Sequence, residues 1–318
     1  MAYTVIVVAV TALAGARLDS NVVFLHVPKA GGKAVSDMLW QCFSQARPSV
    51  RTARCQIGGG GAFDHVCERS QQVLHNVKHA YHSFARGHAN CSYVETHHDH
   101  SSVEAMARAA SDGDVKLDSI VLKRMPMNRS LSAAWMPRGG RFGSLVEHHW
   151  QAKDGFKHGD NLTSAMAIAI KKWPIDFWQK YGYETNHLAR QLAGALTYCS
   201  ELQGNALREL QNNRSALLSR AIAALRTYTH VLLYEHIKDI PAYISCAYGC
   251  KNVTVPTTRY YSAPRALNVA VPPAWLEYLN AQNDLDIQLY ELAADLYRKQ
   301  RCAIHVGLAA ATEDQLTR

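Results

Sequence analysis

The chain has 318 residues, 48% of them apolar, and a formal net charge of +8. That length and apolar fraction suffice for one sizeable core carrying insertions. With no internal repeat and no long low-complexity tract, a solenoid and a disordered chain are excluded. The positive balance points to a polyanionic partner, and nucleic acid is the weaker choice because no recognisable nucleic-acid module is present.

In chain order, Thr4 to Ala14 is an apolar run ending in Ala14-Gly15-Ala16, small residues of the kind found at cleavage sites. No lysine or arginine precedes it, and it is too short to span a bilayer comfortably. It reads as a signal peptide over 1–16, with a short signal-anchor (and membrane association through it) as the second reading and a buried first strand as the third. Residues 17–318 then form a single domain.

Val22 to Val27 reads as a buried strand that stops at Pro28-Lys29-Ala30-Gly31-Gly32-Lys33-Ala34, and a helix follows from Val35 to Phe43. Strand, glycine turn and helix present successive backbone N–H groups to a phosphate, and the helix N-terminus adds partial positive charge. Lys29 adds a full charge at the rim. A nucleotide-kinase loop is disfavoured by the spacing: Val27 stands where the first glycine belongs, and Ala34 where a hydroxyl would hold magnesium. The expectation is a phosphorylated small molecule held without a metal.

Gly58 to Gly61 marks a surface loop after this unit. His79–Ala85 reads as a strand and Ser102–Ala110 as a helix. His97-His98-Asp99-His100 reads as a polar loop rather than a metal site, since adjacent side chains diverge. Ser119 to Leu122 is a further strand, running into Lys123-Arg124-Met125-Pro126-Met127-Asn128-Arg129-Ser130-Leu131-Ser132. Pro126 suits a first helical turn. Arg124 at the strand end reads as a phosphate contact, which arginine makes bidentately, or as a structural ion-pair partner, and Ser132 falls about two turns into the helix. Helical signal dominates from Leu162 to Leu225, ahead of a strand over Val231–Tyr234. Leu285, Leu289, Leu292 and Leu296 share one face of a helix read as core packing. Asn186 and Arg190, one turn apart, read as a surface pair or as neighbours of the ligand. Alternating strands and helices imply an α/β fold, three layers with a central parallel sheet, whose ligands sit beyond the carboxyl ends of the strands.

Eight cysteines, an even set, suggest disulfides in an oxidising compartment, with Cys246 and Cys250 able to pair locally. A cysteine metal site is the weaker reading, because no Cys-x2-Cys pair exists. Sequons at Asn90, Asn161, Asn213 and Asn252 fit the same compartment, and the one at Asn128 falls inside the second phosphate motif. Arg47, Arg51, Arg54, Arg138, Arg141, Lys153, Lys157, Lys171 and Lys172 are candidate contacts to an acidic polymer.

His26-Val27-Pro28-Lys29-Ala30-Gly31-Gly32 resembles the 5′-phosphosulfate loop of the carbohydrate sulfotransferases that use 3′-phosphoadenosine-5′-phosphosulfate (PAPS), the Golgi enzymes that sulfate heparan, dermatan and chondroitin chains. That loop usually reads His-Val-Pro-Lys-Thr-Gly-Gly-Thr-Ser, so Ala30, Lys33 and Ala34 stand at its hydroxyl positions. Arg124, Pro126, Arg129 and Ser132 are in register with its Arg-Asp-Pro-x-x-Arg-x-x-Ser motif, with Met125 at the acid. Tyr183 to Gly194 is similar to its Asn-x-x-x-Arg-x-Leu-x-Gly segment, and Asn283 to Ala293 to its Asn-x-x-Asp-x-x-Leu-Tyr helix. The resemblance implies a P-loop-like PAPS sulfotransferase fold and a PAPS co-substrate with no metal. It also implies a glycan acceptor on an acidic polysaccharide or glycoprotein, and a place in the secretory pathway, in the Golgi lumen. By the same resemblance Pro28 to Ala34 hold the 5′-phosphosulfate, Lys29 assists the leaving phosphate, and Arg124 and Ser132 hold the 3′-phosphate. Arg86-Gly87-His88 resembles the loop of the uronyl 2-O-sulfotransferases whose histidine is the base, which implies that role for His88, with His82, Glu95 and His98 as rivals. The alternatives are a catalytically weak relative that binds acidic glycans and, further off, a P-loop-type kinase.

Overall fold

The structure is a computed structural model that describes residues 21–27, 30–46, 54–57, 93–96, 99–112, 116–134, 185–196, 202, 204–257 and 273–305. Five parallel strands form one sheet: β1 (Asn21–Leu25), β2 (Arg54–Ile57), β3 (Tyr93–Thr96), β4 (Leu117–Lys123) and β5 (His230–Leu233), in the order β2-β3-β1-β4-β5. In β1 every residue from Val22 to Leu25 is buried. An unbroken apolar strand is what a central parallel strand covered on both faces requires.

The connections place the ligand crevice. From β1 the chain passes through α1 (Gly32–Ala46), packed on β3, to the edge strand β2. From β3 it passes through α2 (His100–Asp112), packed on β1 and β4, to β4 on the other side of β1. Right-handed crossovers in opposite directions put α1 and α2 on opposite faces. The switch point, where open α/β sheets take their ligands, therefore lies at the carboxyl ends of β1 and β4, where the direction reverses. Both phosphate motifs leave the sheet there. Leu25 pairs with Val121 and Lys123 with Leu233, so β4 and β5 carry the second motif beyond the end of β1.

Further helices are α3 (Pro126–Ala134), α4 (His187–Leu192), α5 (Gly204–Asn212), α6 (Arg214–Thr227), α7 (Ile240–Tyr248), α8 (Pro273–Gln282), α9 (Asp284–Lys299) and α10 (Arg301–His305). Helices α4, α6 and α9 pack on one another, and α9 covers β5. Leu285 and Leu289 are buried in the core, and Leu292 and Leu296 pack against it, the amphipathic face expected from the leucine spacing.

Among the described residues two disulfides form. Cys42 in α1 bonds Cys250, and Cys246 in α7 bonds Cys302 in α10, with Cα–Cα separations of 5.2 and 5.7 Å. The local Cys246–Cys250 pairing does not form. Gly249, with φ 70°, ends α7 in the left-handed conformation and turns Cys250 away toward α1.

Strands β2 and β3 were not expected from the sequence. The strand expected over His79–Ala85, the leader over 1–16 and the loop Gly58–Gly61 lie outside the described residues. No helix among the described residues is long and apolar enough to cross a membrane.

Candidate phosphate-binding site

The first corner is built on backbone. His26 N–H still donates to Thr96 O at 2.8 Å, and Ala30 N–H then donates back to Val27 O at 3.2 Å, closing the turn. The amides of Ala34 and Val35 both return to Gly31 O, at 3.1 and 3.4 Å. No described residue accepts a hydrogen bond from the Gly31 or Gly32 amide. These are the donors that a helix start leaves for an external acceptor.

Both glycines are also required by packing. Gly31 has φ 86°, and a Cβ there would strike the Tyr234 ring; a Cβ on Gly32 would strike the His26 ring. The His26 imidazole is itself held from below. Its Nδ1 lies 2.5 Å from Glu95 Oε1. Ser36 Oγ donates to Glu95 Oε2 at 2.7 Å, and Tyr93 OH donates to Ser36 Oγ at 3.0 Å. Glu95, one of the rival bases, is buried, with His26 and Ser36 hydrogen-bonded to its carboxylate. Lys33 donates to Asp37 at 2.8 Å, one turn along α1. Ala30 is fully buried, and Ala34 packs against the core.

The second corner is built on side chains. The Arg124 guanidinium lies over the Tyr234 ring, 4.5 Å from its centroid. Burial pushes its pKa down, opposed by Tyr234 and Glu235. The next residue, Met125, donates its N–H to Glu235 Oε1 at 2.9 Å, while Tyr290 OH donates to Glu235 Oε2 at 2.9 Å. The Glu235 carboxylate thus sits at the start of α3, where it also favours the helix dipole. Pro126 opens α3, as its sequence position required. Tyr234, which the sequence reading placed at the end of a strand over Val231–Tyr234, instead lies one residue past β5 in a short 3-10 turn and touches both corners.

On the core side of the second corner, Lys123 is fully buried and Arg129 is 2% exposed. Lys123 Nζ and all three guanidinium nitrogens of Arg129 have no hydrogen-bond partner among the described residues. Asp286, also fully buried, lies 3.8 Å from Arg129. Burial pushes the Lys123 pKa down to about 7, against the pull of Asp286.

The two remaining motif segments lock together here. Asn186, buried with φ 51°, accepts from the Leu285 and Asp286 amides at 2.9 and 3.2 Å, capping the start of α9. Asp286 in return accepts from the Leu188 and Ala189 amides at 3.1 and 2.8 Å, capping α4. Asn186 is therefore an interior cap and not half of a surface pair with Arg190. Gln191 donates to His26 O at 3.4 Å, and Ser130 to Asn283 Oδ1 at 3.4 Å. The first segment thus touches the third, the third the fourth, and the fourth the second.

Pro28, Lys29, His82, His88 and His98 lie outside the described residues, as do the side chain of Ser132 and all the candidate glycan contacts except the backbone of Arg54. In the expected polar loop, Asp99 is buried and caps α2 through the Ser101 amide at 3.1 Å, and His100 meets Tyr228 OH at 3.0 Å. Sequence reasoning missed Tyr234 and Glu235. The available signal was their position directly after a parallel strand, on the ligand-bearing edge of such a sheet.

The chain matches no protein-family model, and no curated protein matches it either.

Proposed function

We propose that the chain transfers a sulfuryl group from PAPS to a hydroxyl of a glycan. The carrying observation is that the Gly31 turn and Arg124 lie against the same tyrosine ring, one at the end of β1 and the other at the end of β4. Two phosphate-binding corners at that spacing suit one nucleotide with phosphates at both ends of its ribose. The contacts among the four motif segments add support, because a single resemblance picked out four stretches that meet at one place in the fold.

In this reading the turn amides and Lys29 hold the 5′-phosphosulfate, and Arg124 and Ser132 hold the 3′-phosphate. His88 removes the acceptor proton. The acceptor oxygen attacks sulfur in line, the bond from sulfur to the bridging oxygen breaks, and the electron pair leaves on the 5′-phosphate beside Lys29. Products are the sulfate ester, 3′-phosphoadenosine-5′-phosphate and a proton. The acceptor is an acidic polysaccharide or glycoprotein glycan, matched by the net charge of +8. Two disulfides agree with a luminal site in the secretory pathway.

A second reading, a glycan-binding relative with weak transfer, draws on the loop itself. Ala30 and Ala34 face the core, and Lys33 pairs with Asp37. A screen of desulfated glycans with radiolabelled PAPS separates the two. Label incorporated by the wild-type chain and lost in His88→Ala, with nucleotide affinity kept, supports transfer. Nucleotide and glycan binding without incorporation supports the second reading.

A further inference from the structure

We propose that Tyr234 sets the selectivity of this site for a 3′-phosphorylated nucleotide, acting as a positioning residue for Arg124; this rests on the PAPS reading above. The Arg124 guanidinium lies over one face of the ring, 4.5 Å from the centroid. A guanidinium stacked in this way keeps its N–H fork in its own plane, the orientation that bidentate contact with a phosphate uses. The ring edge, Cδ2 and Cε2, occupies the space that a Gly31 side chain would need. One aromatic ring therefore lies between the two corners.

The backbone carrying that ring is tied to the second corner. Glu235 accepts from the Met125 amide and from Tyr290 OH, each at 2.9 Å. The backbone that carries Tyr234 is thus hydrogen-bonded, through Glu235, to the residue after Arg124. A leucine would fill much of the volume but offers no π face, so the guanidinium would lose its orientation while the 5′-phosphate turn stayed intact. The change should fall on the 3′-phosphate alone.

The test measures equilibrium binding of 3′-phosphoadenosine-5′-phosphate and of adenosine 5′-monophosphate, which differ only in the 3′-phosphate. Tyr234→Leu should lower the preference for the bisphosphate about 3- to 30-fold, the range of a cation–π contact. Its affinity for the monophosphate should hold. Tyr234→Phe, which keeps the ring, should restore the wild-type ratio. Tyr234→Met serves the same comparison if the leucine variant does not fold. A wild-type ratio in the leucine or methionine variant overturns the role of Tyr234 and leaves the PAPS reading standing. Equal loss for both nucleotides also overturns it, since that marks a general collapse of the site. A wild-type chain that binds both nucleotides equally overturns the PAPS reading and this inference together.

Discussion

Lys123 and Arg124 are consecutive, yet the end of β4 sends them into opposite surroundings. Arg124 turns toward the crevice, half-buried, stacked on Tyr234 beside the Glu235 carboxylate. Lys123 turns into the core, where it and Arg129 share the single carboxylate of Asp286, and that carboxylate already caps α4. A cation stacked on a π face at the end of a strand is placed to serve a ligand. A cation sealed from water serves the fold at best and strains it at worst, because its desolvation penalty is repaid only by excellent pairing.

The comparison breaks most visibly on the core side. Asp286→Asn should destabilise the chain by about 3–5 kcal/mol, the usual result of stranding buried charges. It would deprive Arg129 and Lys123 of the one carboxylate near them among the described residues and weaken the cap on α4. Urea melts would read it, and the folded fraction should keep its nucleotide affinity. On the crevice side, Arg124→Ala should weaken binding of 3′-phosphoadenosine-5′-phosphate about 100-fold, near 2.7 kcal/mol and within the range for a bidentate charged contact. Calorimetry should show this with little change in melting, and unchanged affinity would remove Arg124 from the site.

Lys123→Met sharpens the contrast with a smaller effect of opposite sign, a gain of about 1–4 kcal/mol. The native lysine has a folded pKa of about 7, against about 10.4 unfolded. Between those values the unfolded chain binds the extra proton, so wild-type stability rises with pH over this window and is flat below it. The methionine variant lacks this dependence. Its advantage should be full at pH 6 and shrink steadily toward pH 10, as thermal melts across that range would reveal. An advantage independent of pH would mean that Lys123 is not buried as described.

Much of the crevice was legible in the chain because its signals are local. The apolar run of β1, the glycine turn and the helix after it follow from neighbouring residues, as do β4, Arg124 and Pro126. Strand β3 escaped notice because Glu95 and Thr96, polar in sequence, are buried in it. Their burial is tolerated because Glu95 finds His26 and Ser36, partners dozens of residues away. Tyr234 escaped because the sequence reading ended the strand on it, and only the turn after Leu233 brings it against Arg124 and the glycine turn. The cysteines repeat the lesson: 246 and 250 are close in sequence and bond to 302 and 42.

By itself the sequence determined where β1, β4 and β5 form, that β1 and β4 are buried, and which glycine turn leads into α1. Those properties follow from periodicity and backbone preference over a few residues. Only the tertiary structure decided that β1 lies beside β4, that Asn186 and Asp286 cap each other's helices, and that one tyrosine stands between the glycine turn and Arg124. Such contacts depend on how whole elements pack, and no short stretch of chain encodes its partner across a hundred residues.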